Sequence, residues 1–186
     1  MAIKTFTTGE VLTASDTNTY LNNGGLVYVK SQTVGTGVSS VQVTSAFSTD
    51  YDNYKVIYTG GVASASADLR LTIGASATGY YGDLIYARPN AAAPAGVANN
   101  NTNFWQYGAG LSSTTNVVSS FDIYQPFLAL KTGLFTQVIH IDGASAALGT
   151  FIGYHDVATS YTSFTITPSS GTLTGGTITV YGYRKA

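Results

Sequence analysis

The chain has 186 residues, a length that one domain accommodates, and a net charge of −1. That near-neutral balance gives no basic footprint for nucleic acid, and the absence of cysteine excludes disulfides and thiolate metal sites. Charged residues make up only 9% of the chain, against about 25% in an average soluble domain, and 27 Thr, 18 Ser, 21 Gly and 14 Tyr stand in their place.

This composition favours strands with Thr and Tyr on their outer faces and Gly at their turns. Phe6 to Asn23 is the one stretch that reads as a helix. Thr13 followed by Asp16 has the form of a capping box, and Asn22-Asn23-Gly24-Gly25 tolerates the left-handed conformation that ends a helix. A helix this short is unstable alone, so its apolar residues Phe6, Val11, Leu12, Tyr20 and Leu21 need a surface to dock on. Lys4 is followed by no apolar core of a secretory signal, and no stretch approaches the length of a membrane-spanning helix.

After Gly25 the period becomes two. Strands are predicted at Leu26–Val29, Val41–Phe47, Tyr54–Tyr58, Leu69–Ile73 and Tyr80–Ala87, the last with Gly82 as a candidate bulge. From Pro89 to Asn103 the alternation stops, which predicts a long functional loop. Phe104–Tyr107 reads as a short strand. Regular strands resume at Val117–Gln125, Leu134–Asp142, Leu148–Tyr154, Tyr161–Thr167 and Thr177–Tyr183. About ten strands with turn signals between them and no intervening helix predict an antiparallel β-sandwich of the jelly-roll kind.

Three phrases carry a resemblance. Phe6-Thr7-Thr8-Gly9-Glu10-Val11-Leu12-Thr13-Ala14-Ser15-Asp16, with Asn18-Thr19-Tyr20-Leu21, is similar to the opening of tailed-bacteriophage virion proteins. Ser31–Val38 and Phe47–Tyr54 resemble the first strands of their β domains, and Gly176–Arg184 resembles the last. Ala63 to Thr165 lies outside the resemblance. What it implies is a homotrimeric fibre, tail-appendage or decoration subunit assembled in the host cytoplasm and resident in the virion. Residues 1–25 would attach it to tail, baseplate or capsid proteins through Phe6, Val11, Leu12, Tyr20 and Leu21, and a domain of residues 26–186 would project outward. Tail fibre, head fibre and capsid decoration are all consistent with it.

The residues give little for catalysis. Glu10 is the only glutamate, so a pair of glycosidase carboxylates would have to come from dispersed aspartates such as Asp68, Asp83 and Asp122. His140 and Asp142 share a face opposite Ile139 and Ile141, which is half of a metal site or, more simply, a surface or interface histidine. Asp50-Tyr51-Asp52-Asn53 begins like a calcium loop but lacks its Gly and Glu, so a side-chain-stabilised turn is expected. The expectation is a non-enzyme without cofactor or metal.

A glycan- or receptor-binding module is the second expectation. Trp105 offers an aromatic face, and Tyr107, Asn101, Asn103 and Gln106 offer hydroxyl and amide partners for sugar hydroxyls, with Tyr80 and Tyr81 nearby. The competing reading places Trp105 in the core or between subunits.

Overall fold

The computed structural model describes residues 7–11, 13–16, 25–141 and 146–185. Among these residues, thirteen strands follow a three-residue helical turn, α1 (Ala14–Asp16): β1 (Leu26–Thr33), β2 (Val41–Val43), β3 (Asn53–Ala63), β4 (Ala67–Ile73), β5 (Tyr80–Arg88), β6 (Ala91–Thr102), β7 (Leu111–Ser112), β8 (Val117–Tyr124), β9 (Thr132–His140), β10 (Ala147–His155), β11 (Phe164–Pro168), β12 (Leu173–Thr174) and β13 (Thr177–Tyr183). They form two packed antiparallel sheets, the expected sandwich. The larger has the order β1-β13-β3-β8-β9-β10-β5-β6, with β12 beside β3, and the smaller has the order β2-β11-β4-β7. Successive strands β1 to β4 alternate between the sheets, while β5-β6 and β9-β10 stay together and extend the larger one.

Alternation in the sequence builds the core. In β4, Ala67, Leu69, Leu71 and Ile73 point inward and are buried, while the residues between them are half-buried. Tyr54, Val56 and Tyr58 of β3 face them from the other sheet, as do Phe121 and Ile123 of β8 and Ile178 and Val180 of β13. Phe164 joins the layers, with ring centroids 5.7 Å from Phe47 and 5.8 Å from Phe121. Aromatic side chains bury large apolar areas, so these contacts dominate the packing.

The structure corrects several expectations. Pro89–Asn103 is not a loop: most of it forms β6, a twelve-residue edge strand paired with β5 in the register Leu84↔Val97 and Asp83↔Ala98. An edge strand with one solvated side does not need apolar alternation, which is why the sequence conceals it. The bulge expected near Gly82 is present, because Tyr80 pairs with Thr102 and Gly82 with Asn99. The extra residue is therefore on β6. Phe104–Tyr107 is no regular strand, but Trp105 makes an isolated bridge to Leu71. His140 is buried on the inner face of β9 while Ile139 and Ile141 point outward, the reverse of a surface histidine. Asp142 lies outside the described residues, as do Phe6, Leu12, Tyr20 and Leu21 and half of the expected helix, of whose described residues only Ala14–Asp16 are helical.

Candidate functional site

The inner face of β5, β9 and β10 runs on past β7, the edge of the smaller sheet. There a cavity of about 260 Å³ opens, with Leu84 and Leu111 in its apolar lining and Tyr86, Tyr107, Asp68, Arg88 and His140 around it. Asp68 comes from β4, Tyr86 and Arg88 from β5 and His140 from the end of β9. Tyr107 follows the Trp105 bridge that fastens its segment to β4.

Asp68, half-buried on β4, supplies the carboxylate of this cavity. Desolvation raises its carboxyl above the ordinary carboxylate range, opposed by a hydrogen bond from Gln106 and by the nearby Arg70 guanidinium. The Gln106 side-chain amide donates to Asp68 Oδ2, and the Gln106 backbone N–H donates to Asn99 Oδ1 at 2.9 Å. Burial also pushes the Tyr107 hydroxyl up, with Asp68 adding to the effect. One carboxylate, two tyrosine rings and a guanidinium around an apolar floor suit a small polyhydroxylated ligand: the rings can cover its C–H face while the carboxylate and guanidinium bind its hydroxyls.

The residues singled out from sequence divide accordingly. Gln106 and Tyr107 belong to the cavity region. Trp105 does not serve as a sugar platform, because its indole is fully buried. Its Nε1 donates to Tyr81 O at 3.1 Å and Tyr154 O at 3.2 Å, and its ring packs edge-on against Tyr80. The polar end of the indole is thus satisfied by backbone carbonyls, which explains a tryptophan in the core. Asn101 is the bulge residue of β6; its Oδ1 accepts from Gly79 N at 3.1 Å and Thr78 Oγ1 at 3.3 Å. Asn103 is exposed. Tyr80 is buried, whereas Tyr81 faces out of the larger sheet and stacks on Tyr154 at 5.0 Å. Asp68 stood out only as one of several dispersed aspartates, and Tyr86 and Arg88 carried no local signal, because all three are ordinary strand residues that only the topology brings together.

A second polar cluster is structural. His155 is fully buried, and its Nε2 lies 2.8 Å from Ser76 Oγ and 2.9 Å from Thr78 O. A carbonyl can only accept, so Nε2 carries the proton and Nδ1 is left to accept from the Tyr161 hydroxyl at 3.4 Å. Desolvation lowers the imidazole pKa and keeps it neutral. The Asp50 segment is a turn in which Ser48 Oγ donates to Asp50 Oδ2 at 2.9 Å and accepts from Asp50 N at 3.2 Å.

Comparison of the chain with family models, with curated proteins and with solved structures gives no match.

Proposed function

We propose that this chain is a non-catalytic structural subunit of a tailed-bacteriophage particle. In this reading it is a trimeric fibre or appendage subunit, held to other virion proteins by residues 1–25 and presenting the sandwich of residues 26–186 to the host. The observation that carries the reading is the exposure of the described residues of the first part. Residues 7–11 and 13–15, from the phrase that resembles virion proteins, are all exposed, and Val11 is 79% exposed. The core is built from Val34 onward without any of them. An apolar side chain held in solvent costs the free chain burial energy that a partner would supply.

The strand order supports the jelly-roll form of the sandwich. Strands β1, β13, β3 and β8 lie in one sheet and β2, β11, β4 and β7 in the other, the pattern of two interleaved Greek keys. On that frame β5-β6 and β9-β10 are additions at one end.

Deleting residues 1–23 tests the reading. The truncated chain should keep its circular dichroism and its cooperative melting yet fail to join particles. A collapsed sandwich would assign the segment to the domain's own core, and unimpaired incorporation would remove it from attachment. Locating the chain in a particle map distinguishes tail fibre from head fibre and capsid decoration.

The cavity around Asp68 favours a second reading, a lectin-like module that takes a single sugar ring of a host glycan. Asp68→Asn and Tyr107→Ala should each weaken glycan binding while leaving assembly intact. Unchanged binding in both variants would leave the cavity a packing feature.

A further inference from the structure

The outward face of the larger sheet is apolar where a solvated face would be polar. Ile85 is 61% exposed, Ile152 56%, Leu148 51% and Ile139 40%. These side chains are contiguous rather than scattered: Leu148 lies opposite Ile139 and Ile152 opposite Phe135, while Thr150 lies opposite Ile85. Contiguous exposed apolar surface of this kind marks an interaction site.

We propose that the outward face of β5, β8, β9 and β10 packs against the same face of other copies of this chain around a symmetry axis. The inference rests on the reading of the protein as an oligomeric subunit, and it names the surface through which the copies meet. Three observations select a second copy as the occupant. The first is charge. The outward carboxylates of these four strands are Asp83 and Asp122, and Asp122 is held by Lys55 Nζ at 3.0 Å and the Tyr183 hydroxyl at 2.6 Å. A face whose exposed carboxylate is Asp83 alone meets its own copy with little like-charge repulsion and offers little to a charged partner. The second is area. Strands of eight to nine residues span about 28 Å, and four of them span about 19 Å across, a footprint of roughly 530 Å² on each copy and about 1,060 Å² for two, at the roughly 1,000 Å² that a specific interface needs. The third is the sheet edge. β6 contains Pro94, which has no N–H to offer, and this discourages association by strand addition at that edge. At this end of the sheet, self-association is left to the face; the opposite edge, β1, lies five strands away from β10.

The test is the mass of the native chain in light scattering, for the wild type and for the double variant Ile85→Glu/Ile152→Glu. The wild type should be an oligomer and the variant a folded monomer. An oligomeric wild type with an equally oligomeric variant overturns the face and leaves the subunit reading standing. A wild type that is monomeric at micromolar concentration overturns both. Because the chain has no cysteine, a single thiol gives an independent measurement if the double variant does not fold. Ile152→Cys in the native oligomer should react with a maleimide about tenfold or more slowly than Ser40→Cys on an exposed loop, since thiol reactivity follows access. Equal rates overturn the proposal.

Discussion

Trp105 and Gly153 occupy each other's space. A Cβ built on Gly153 would lie 2.8 Å from Trp105 Nε1 and 2.7 Å from Tyr81 O, closer than real Cβ contacts come. The bare backbone of β10 is what lets the indole slide under the strand pair and donate to carbonyls of both β5 and β10. On the outside of the same pair Tyr81 and Tyr154 stack with planes 5° apart. The junction of β5 and β10 is therefore clamped from both faces, and it joins the β5-β6 hairpin to the rest of the molecule.

Trp105→Ala should cost about 3–5 kcal/mol in urea denaturation, from the cavity and the two carbonyls left without a donor. Trp105→Phe should cost less, since it keeps most of the apolar contact. Gly153→Ala should cost about 1–3 kcal/mol through overpacking. A Trp105→Ala loss below 1 kcal/mol would contradict the buried, hydrogen-bonded indole.

This junction also shows where sequence reasoning succeeds and stops. A tryptophan followed by Gln106 and flanked by asparagines reads as a sugar platform, and nothing local reveals that Gly153, far along the chain, holds a slot for it. Strands such as β4 and β13 are legible because one face is buried and the other is not, so apolar residues recur with a period of two. The same period identifies the two faces of β9 but cannot say which is inside. There His140 and Thr136 go in and Ile139 comes out, because the outward face is apolar too. β6 was illegible for the opposite reason, having little buried face to pattern. Of the cavity, Gln106 and Tyr107 were found by their residue types, whereas Asp68, Tyr86 and Arg88 become a site only through strand order.

Acid should destabilise the protein through His155. Its ordinary pKa is 6.5, and burial lowers it in the folded state. Between the two values the unfolded chain binds more protons than the folded one, so stability rises with pH across that window. The contribution is full above about pH 6.5 and is lost as pH falls toward the folded value. Asp68 works in the opposite sense nearer its ordinary value of 3.8: its folded pKa is raised, so stability is lost as pH rises through it. Urea midpoints measured from pH 7.5 to 5 should therefore decline for the wild type and decline less for His155→Phe. That variant should also lose about 1–2 kcal/mol at pH 7.5 through the unmade bond to Thr78 O. Parallel pH profiles for the two proteins would remove His155 from the acid sensitivity.

Removing the Asp122 carboxylate should unsettle the centre of the larger sheet. It accepts from Lys55 and Tyr183 across β3, β8 and β13, and the Lys55 side chain is only 18% exposed. Asp122→Ala leaves a mostly covered ammonium and a phenol without their acceptor, and should cost about 3 kcal/mol in thermal or chemical unfolding. Asp122→Asn keeps an acceptor oxygen and should cost less. Adding Lys55→Met to Asp122→Ala should recover part of the loss, because the uncompensated charge goes with it. A double variant no more stable than Asp122→Ala alone would show that the charge is not the source of the cost.

Asn101 should separate backbone strain from side-chain bonding at the β6 bulge. Its φ of 52° lies in the left-handed region, which asparagine tolerates better than most residues. Its Oδ1 also ties the bulge to the turn at Thr78 and Gly79. Asn101→Gly keeps the conformation and loses the two bonds, for an expected cost of about 1 kcal/mol. Asn101→Val adds a β-branched side chain at positive φ and should cost about 2–4 kcal/mol in total. Because β6 is an edge strand paired only with β5, the local effect should exceed the global one. Amide exchange in Ala95–Thr102 should accelerate in both variants, more in Asn101→Val, while β3 and β8 in the interior of the sheet stay protected. Equal acceleration in all strands would mean that the bulge is part of the cooperative core rather than a fastening at its edge.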